Sequence, residues 1–281
     1  MAENLVLLGG IPRSGTTLTC RLLNQVSNTL ALVEPLDMNA LLAASGPAGR
    51  AEFIRQFAAQ IRRQVLAGEA VRVKALDGEQ TNTFAADASE GGKRKNIITG
   101  EVDASLGKAF TSEFLLLIKH PNAFAALLPE LRSHFSVYMH VRSPLSILAS
   151  WHSLDHPLSM GHAPMAESFD KALKATLAVE GDSLNRQIAL LNWYFSRFLD
   201  YLPRTDIIRY EDVVASNGRQ LANIVPAAAG LTADLQLRNR NPLYDDAFMV
   251  TAAERLLALG GAWQLFYSAQ DIEQVLSGTQ A

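Results

Sequence analysis

The stretch that decides the fold is LVLLGGIPRSGTTLTCRLL, residues 5–23. It begins with an apolar run, which is typical of a buried β-strand. Glycines at positions 9, 10 and 15 then permit a tight turn, and we expect a helix over residues 15–26. A helix that begins directly after such a turn points its first N–H groups and the positive end of its dipole at an anion. The stretch therefore predicts a strand, a glycine turn and a helix that together bind an anion.

The spacing in this turn approaches the phosphate loop G-x-x-x-x-G-K-[ST], but the lysine is missing. Gly10 and Gly15 stand five residues apart, and Thr16 occupies the position of the lysine. Thr17 follows in the place of the hydroxyl residue that holds Mg²⁺ in triphosphate sites, while Arg13 is the only cation in the loop. The loop keeps the backbone features that bind anions and lacks the side chain that spans the outer phosphates of a nucleoside triphosphate.

Cations rather than carboxylates follow the later predicted strands. The third strand ends in Lys119 and the fourth in Arg142. A carboxylate at the end of another strand normally supports the Mg²⁺ of a triphosphate site. The sequence therefore predicts a ligand with two or three negative charges, held by cations without a metal.

Five short, mostly apolar runs alternate with helical patterns along the chain. All-apolar runs of this length are typical of a parallel sheet that is covered on both faces. We therefore predict an α/β fold: a three-layer, P-loop-like arrangement with a central parallel sheet of about five strands flanked by helices. The predicted strands span 4–9, 29–33, 114–119, 135–141 and 205–209, with a weaker run at 70–74. The predicted helices span 15–26, 51–66, 121–132, 143–154, 183–200, 211–229 and 251–259.

Length and composition favour one globular unit without nucleic-acid or membrane partners. The chain has 281 residues, of which 48% are apolar, and its formal net charge is −3. That charge provides no overall basic field to attract nucleic acid or an anionic membrane. No apolar run is long enough for a membrane span, and we expect no signal peptide. The single cysteine suits a reducing compartment, so a cytoplasmic location is expected.

Two motifs resemble those of sulfotransferases that use 3′-phosphoadenosine-5′-phosphosulfate (PAPS). PRSGTTL, residues 12–18, is similar to their 5′-phosphosulfate-binding loop, and arginine is found at this point in the carbohydrate and tyrosyl-protein enzymes. VRSPLSILASWHS, residues 141–153, resembles the 3′-phosphate segment, with an arginine at a strand end, a proline two residues later and a serine eight residues later. LALVEPL (30–36) and IIRYEDV (207–213) also resemble family segments.

The resemblance covers residues 5–230 and implies one sulfotransferase domain over 1–281, with a core of about 4–230 and a C-terminal helical part of about 231–281. It is absent near the C-terminus. Cytosolic members close over the 3′-phosphate with an Arg-Lys-Gly segment, whereas this chain has RNRNP at 238–242, without the glycine. Which C-terminal residues close over that phosphate therefore stays open.

The resemblance also implies roles for individual residues. The enzyme would transfer the sulfuryl group of PAPS to a hydroxyl acceptor, a sugar or another small-molecule alcohol, without a metal, and release adenosine 3′,5′-bisphosphate. The implied ligands are Arg13 with the backbone amides of Ser14, Gly15, Thr16 and Thr17 for the 5′-phosphosulfate, Arg142 and Ser150 for the 3′-phosphate, and Tyr210 for the adenine. Ser150 lies about two helical turns after Ser143, so its hydroxyl can share a phosphate with the guanidinium of Arg142.

Two residues are candidates for the base that takes the proton of the acceptor hydroxyl. Glu34 precedes a proline, and we expect extended backbone there. His120 directly follows Lys119, whereas cytosolic enzymes place their histidine two residues after the lysine. Because neighbours on a strand point to opposite faces, His120 is out of that register and Glu34 is preferred. Lys119 is expected to neutralise charge on the sulfuryl group or the bridging oxygen.

Other interpretations remain open from the sequence. A small-molecule kinase with an eroded phosphate loop and a non-catalytic nucleotide-binding module are the alternative functions. His152, His156 and His162 lack the partners that would complete a zinc site. The Lys-Arg-Lys run at 93–95 is either a solvated loop or a cationic lip for an acidic acceptor. The oligomeric state is not encoded in any recognisable pattern.

Overall fold

The structure is a computed structural model that describes residues 4–74, 84–85, 92–97, 101–104 and 107–279. Within these residues the strands are β1 (Leu5–Gly10), β2 (Thr29–Val33), β3 (Val71–Lys74), β4 (Glu101–Ala104), β5 (Leu115–Lys119), β6 (Ser136–Val141) and β7 (Ile207–Arg209). The helices are α1 (Thr16–Leu23), α2 (Met38–Ala43), α3 (Gly46–Leu66), α4 (Pro121–Ala126), α5 (Leu128–Leu131), α6 (Pro144–His152), α7 (Pro164–Phe169), α8 (Lys171–Val179), α9 (Ser183–Tyr201), α10 (Tyr210–Ala215), α11 (Asp246–Leu259) and α12 (Ala269–Ser277).

Five of the strands form one parallel sheet in the order β2-β5-β1-β6-β7. This confirms the predicted α/β fold with a central parallel sheet flanked by helices. The weaker run at 70–74 does form a strand, but β3 pairs with β4 in a separate antiparallel pair. Because β1 is central, the carboxyl ends of β5, β1 and β6 lie side by side. Ligands of open α/β sheets bind at this edge, where the strand order changes direction.

The strands are covered on both faces, which explains their unbroken apolar sequences. Leu5 and Leu7 of β1 belong to a hydrophobic cluster that includes α3, α6 and α9. Val6 and Leu8 belong to a second cluster on the opposite face, with α1 and the residues after α10. Successive residues of a strand point to opposite faces, so each apolar run supplies both cores. The result is three layers: helices, sheet and helices.

The helices differ from the sequence prediction mainly where the chain turns. The predicted helix 121–132 is divided into α4 and α5 around Leu127, because Pro129 lacks the N–H and its ring clashes within a helix. The predicted helix 211–229 ends with α10, after which Asn217 and Gly218 take φ values of 53° and 90°. Two 3₁₀ turns follow, at Arg219–Asn223 and Pro226–Gly230. Short helices α2, α7, α8 and α12 were not predicted, because each offers too few turns for a clear period.

The C-terminal helices pack on the layer that carries the second sequence motif. Both α11 and α12 contact α6, and Met249, Leu256 and Ile272 belong to the same hydrophobic cluster as Leu5 and Leu7. The division into a core ending near 230 and a helical part stays a prediction. In the part of the chain that the structure describes, no helix is both long enough and apolar enough to cross a membrane.

Candidate functional site

The loop between β1 and α1 needs glycine at both ends of its motif. Gly10 has φ 145°, and a Cβ there would lie 2.7 Å from the backbone N and O of His140. Gly15 has φ 96°, and its Cβ would lie 2.7 Å from Cδ2 of the Tyr210 ring. Both backbone conformations also disfavour L side chains. The spacing of the two glycines is therefore a requirement of the loop's path against β6 and α10.

Backbone N–H groups at the start of α1 are available to bind a ligand. The N–H groups of Gly15, Thr16 and Thr17 donate no hydrogen bond to a described residue, as is usual at a helix N-terminus. The Ser14 N–H donates to the carbonyl of Ile11 at 3.0 Å, and its predicted role as a ligand stays a prediction. The Ser14 hydroxyl is buried and has no hydrogen-bond partner among the described residues. Three amides and the helix dipole thus remain for an anion, which fits the predicted phosphate or sulfate ligand.

A buried histidine supports the loop from β6. His140 Nδ1 lies 3.1 Å from the Ser14 carbonyl, and Nε2 lies 2.8 Å from Thr19 Oγ1. A carbonyl oxygen only accepts, so Nδ1 carries the hydrogen and Nε2 accepts from the threonine hydroxyl. Burial lowers the pKa of His140 to about 4, so the ring is neutral at pH 7. His140 was not among the predicted site residues, although a histidine inside the mostly apolar run 135–141 was a signal.

Arg13 joins the two sequence motifs. Its Nε donates to Ser150 Oγ at 3.3 Å, across 137 residues of sequence, and its guanidinium lies 5.5 Å from the ring centre of Phe84. The pKa of Arg13 is lowered to about 10 by burial and by repulsion from Arg94 and Arg142, with Tyr244 acting in the opposite direction. Arg13 is therefore still a cation at pH 7, held close to other cations.

Arg142 is fixed by acceptors on three sides. Its Nε donates to Asn239 Oδ1 at 2.9 Å, its Nη1 donates to the carbonyl of Arg13 at 3.1 Å, and its Nη2 donates to the carbonyl of Arg238. No hydrogen bond joins Arg142 to Ser150 in the described structure; each of them contacts Arg13 instead. Arg142 and Ser150 therefore each lie close to Arg13. A phosphate shared by Arg142 and Ser150 stays a prediction.

The RNRNP segment at 238–242 lies beside Arg142. The sequence alone left open whether this C-terminal segment belongs to the site. Asn239 is buried, and its Nδ2 donates to Glu211 Oε1 at 2.9 Å. The same oxygen accepts from the Ser143 N–H at 2.9 Å, and Glu211 Oε2 accepts from the Tyr267 hydroxyl at 2.8 Å. Glu211 therefore links the start of α6 with two C-terminal segments. These contacts orient Arg142, and Asn239 and Glu211 are site residues that the sequence analysis did not name.

Tyr210 is a packing element of the site. Its ring lies 4.6 Å beneath the guanidinium of Arg142, and its hydroxyl accepts a hydrogen bond from the Arg238 N–H at 3.2 Å. The residue is buried, with its ring against Gly15. The predicted adenine contact stays a prediction, while the ring visibly joins the loop to Arg142.

Glu34 and Lys119 form an ion pair next to the loop. Lys119 Nζ lies 2.7 Å from Glu34 Oε1 and 3.4 Å from Thr17 Oγ1. The Lys119 side chain is 4% exposed and that of Glu34 is 30% exposed, so the carboxylate faces the open side. A carboxylate and an ammonium thus meet where the loop presents its amides.

The expectation of extended backbone at Glu34 is wrong, because its φ is 52°. The Glu34 N–H still donates to the Lys119 carbonyl at 2.8 Å, so the sheet ladder continues to this residue. The chain then turns through the left-handed region, which costs roughly 1–2 kcal/mol for an L residue. Among the described residues only four non-glycines have positive φ, and two of them are Arg13 and Glu34. Such backbone strain is concentrated at functional sites.

His120 contacts the turn that follows Glu34, and its place outside the register of a base stays a prediction. Its Nε2 accepts a hydrogen bond from the Leu36 N–H at 3.0 Å, and its ring meets Phe124 edge-on at 5.3 Å. This bond engages the lone pair that a base would need at Nε2. In this structure His120 holds the turn after Glu34, and Lys119 holds the Glu34 carboxylate.

The three histidines considered as zinc ligands have separate protein partners. His152 stacks on Phe248 at 3.9 Å, His156 Nδ1 accepts from the Leu158 N–H at 3.3 Å, and His162 Nδ1 lies 3.2 Å from Glu167 Oε1. Among the residues that the structure describes, no three His, Cys, Asp or Glu side chains are placed together as metal ligands.

Arg94 is a site residue that the sequence analysis did not identify. It is 4% exposed, and its Nη2 donates to Ser153 Oγ at 2.7 Å and to Ser150 Oγ at 3.3 Å. The solvated-loop interpretation of residues 93–95 is therefore wrong for Arg94, although Lys95 is exposed. Three arginines, at 13, 94 and 142, approach the same end of the sheet.

In comparisons with known proteins, no protein-family model and no curated protein matches the chain. The functional conclusion therefore rests on the residues of the site.

Proposed function

We propose that this protein is a sulfotransferase that moves the sulfuryl group of PAPS to a hydroxyl acceptor. The observation that carries the proposal is the hydrogen bond from Arg13 to Ser150. It places the loop motif beside the second motif, so that two anion-binding sets of donors are adjacent. One nucleotide with a phosphate on each side of its ribose matches this arrangement.

The two sets of donors divide between the two ends of such a nucleotide. Arg13 and the amides of Gly15, Thr16 and Thr17 would bind the 5′-phosphosulfate, while Arg142 and Ser150 would bind the 3′-phosphate. Burial lowers the pKa of Arg13, and repulsion from Arg94 and Arg142 lowers it further; a multiply charged anion that binds between the arginines would relieve this repulsion.

Lys119 favours a mechanism without Mg²⁺. Thr17 has the sequence position of the hydroxyl that ligates Mg²⁺ in triphosphate sites. Here the Lys119 ammonium lies 3.4 Å from that hydroxyl and 2.7 Å from Glu34 Oε1, so a protein cation already pairs with the carboxylate that would otherwise support a metal beside the hydroxyl. A fixed ammonium at this place can stabilise the charge that develops on the bridging oxygen during transfer. The same contact argues against a kinase with an eroded phosphate loop.

In the proposed reaction Glu34 takes the proton of the acceptor hydroxyl. The acceptor oxygen attacks the sulfur and forms the new O–S bond, while the bond from sulfur to the bridging oxygen breaks and its electrons stay on the phosphate. The products are the sulfated acceptor and adenosine 3′,5′-bisphosphate. Positioning and fixed charge supply most of the rate in such a step, because the protein forms no covalent intermediate.

The acceptor class follows from the resemblance rather than from the site. An Arg-type loop and Glu-Pro-Leu favour a sugar or another alcohol over a flat phenol.

The test is to incubate the purified protein with PAPS labelled at sulfur and a panel of hydroxylated acceptors. Label should enter an acceptor in step with release of the bisphosphate. Phosphoryl transfer from ATP with Mg²⁺, with none from PAPS, would instead establish the kinase alternative. A non-catalytic binding module would bind PAPS without turnover, and Glu34→Gln would then change nothing.

Arg142→Ala should weaken adenosine 3′,5′-bisphosphate far more than adenosine 5′-phosphate. A hydrogen bond to a charged group contributes ~1.5–3 kcal/mol, so the expected loss is roughly 10- to 150-fold for the bisphosphate. Calorimetric titration of both ligands gives the comparison. Arg132→Ala is the matched control, because Arg132 lies before β6 and donates to the Tyr201 carbonyl, far from the loop. Equal weakening of both nucleotides would place Arg142 away from the 3′-phosphate.

A further inference from the structure

Arg94 reaches the site from outside both sequence motifs. Its backbone is joined to the end of α6, since its N–H donates to the Ser153 carbonyl at 2.8 Å and its carbonyl accepts from the Asp155 N–H at 3.0 Å. Its side chain then turns back along α6, with Nε 3.2 Å and Nη2 2.7 Å from Ser153 Oγ. These four bonds fix the guanidinium against one face of α6.

Among the described residues, no carboxylate supplies Arg94 with the negative charge that a buried arginine normally has beside it. Its described side-chain partners are the hydroxyls of Ser150 and Ser153, and no described carboxylate forms an ion pair with it. Burial lowers the pKa of Arg94 and so does repulsion from Arg142, while Tyr244 raises it. Buried charges are ordinarily paired, because an unpaired charge is costly to remove from water. An arginine held in this way beside other arginines fits a site for an anion.

Ser150 connects Arg94 to the proposed nucleotide site. Its hydroxyl oxygen is within hydrogen-bonding distance of both Arg13 Nε and Arg94 Nη2, at 3.3 Å each. The Nη1 group of Arg94 donates no hydrogen bond to a described residue, so donors remain for a ligand. Arg94 also lies close enough to Arg142 for their charges to interact. The guanidinium is thus on the side of Ser150 and Arg142, whereas the loop amides are at the start of α1.

We propose that Arg94 is a second arginine ligand of the nucleotide's 3′-phosphate, beside Arg142, and is supplied by residues 92–97. The proposal rests on the function proposed above and adds to it a residue that neither motif contains. The ligand class is a nucleoside 3′,5′-bisphosphate, of which PAPS and its product are members. Arg94 and Arg142 then bind the same phosphate together with Ser150, which Arg94 Nη2 already contacts.

The test is a titration of three protein variants with two nucleotides, followed by calorimetry. Arg94→Ala should weaken adenosine 3′,5′-bisphosphate by roughly 10- to 150-fold, which is the range for a lost hydrogen bond to a charged group. The affinity of Arg94→Ala for adenosine 5′-phosphate should stay within about fivefold of the wild-type value. The control is Lys95→Ala, which removes an exposed charge from the next residue, and its affinities for both nucleotides should stay within about fivefold of wild type. Arg94→Lys keeps the charge and loses the fork of donors, so it should weaken only the bisphosphate.

Each outcome bears on a different claim. Wild-type affinity of Arg94→Ala for the bisphosphate would overturn the role of Arg94 and leave the proposed function standing. Equal weakening of both nucleotides would overturn the assignment to the 3′-phosphate. A wild-type protein that binds the bisphosphate no better than adenosine 5′-phosphate would overturn this inference together with the proposed function. Thermal unfolding of each variant shows whether it is folded. If Arg94→Ala does not fold, the affinities of Arg94→Lys for the two nucleotides test the role of Arg94 instead.

Discussion

Arg13→Ala should lower kcat by about 10²–10³ or more, the loss that follows removal of one donor to the charge of a transition state. Arg13 is the loop's only cation, and its Nε already reaches the second motif through Ser150. The residue has φ 76°, an unusual backbone conformation of the kind that is concentrated at functional sites. Turnover of labelled PAPS under saturating nucleotide measures the effect.

The control for Arg13→Ala is Arg21→Ala. Arg21 is exposed near the end of α1, so Arg21→Ala removes the same charge from the adjoining helix without touching the loop. It should keep kcat within about fivefold of wild type, since exposed charges contribute little. If Arg13→Ala is folded and turns over at a near-normal rate, the arginine has no part in transfer and the assignment of the loop is wrong.

Glu34→Gln should lower kcat by about 10²–10⁴, the usual contribution of a general base. Glutamine keeps the shape of the side chain and an oxygen that can accept from Lys119 Nζ, but it cannot take the proton of the acceptor. Affinity for adenosine 3′,5′-bisphosphate should stay close to wild type, because Glu34 is assigned to the acceptor. The measurement is kcat together with a calorimetric titration of the bisphosphate.

Two further variants make the Glu34 test specific. Glu130→Gln alters another half-buried carboxylate in an ion pair, with Arg50 at 2.8 Å, and should leave kcat unchanged. His120→Ala removes the acceptor of the Leu36 N–H and should cost about tenfold or less, since that histidine positions the turn rather than taking the proton. If His120→Ala is inactive and Glu34→Gln has a normal kcat, His120 rather than Glu34 is the base.

Local sequence was sufficient for the fold and for the loop. The apolar runs predict the five-stranded sheet because each strand supplies residues to both cores, and this pattern needs no knowledge of distant contacts. The two glycines could be recognised because each is required by the path of the chain through the turn. The preference for Glu34 over His120 as the base also rests on local sequence, through alternation along a strand, and it stays a prediction.

The remaining parts of the site depend on contacts between distant segments. Arg94 contacts residues 56 and 59 positions away, and a run of three cations looks like a solvated loop until its burial is known. Asn239 gains its role from Arg142 and Glu211, neither of which is near it in sequence. The positive φ of Glu34 was missed because the proline rule describes average preference, while here the Lys119 ion pair and sheet bond hold the residue in place.

The central claim is that the loop and the second motif together bind a nucleoside 3′,5′-bisphosphate without a metal. A calorimetric titration of the purified protein with adenosine 3′,5′-bisphosphate, adenosine 5′-phosphate and ATP with Mg²⁺ tests it most directly. The account predicts that the bisphosphate binds at least about tenfold more tightly than adenosine 5′-phosphate, as expected for added charged hydrogen bonds, and that EDTA does not change this affinity. Tighter binding of ATP with Mg²⁺, lost on addition of EDTA, would contradict the account.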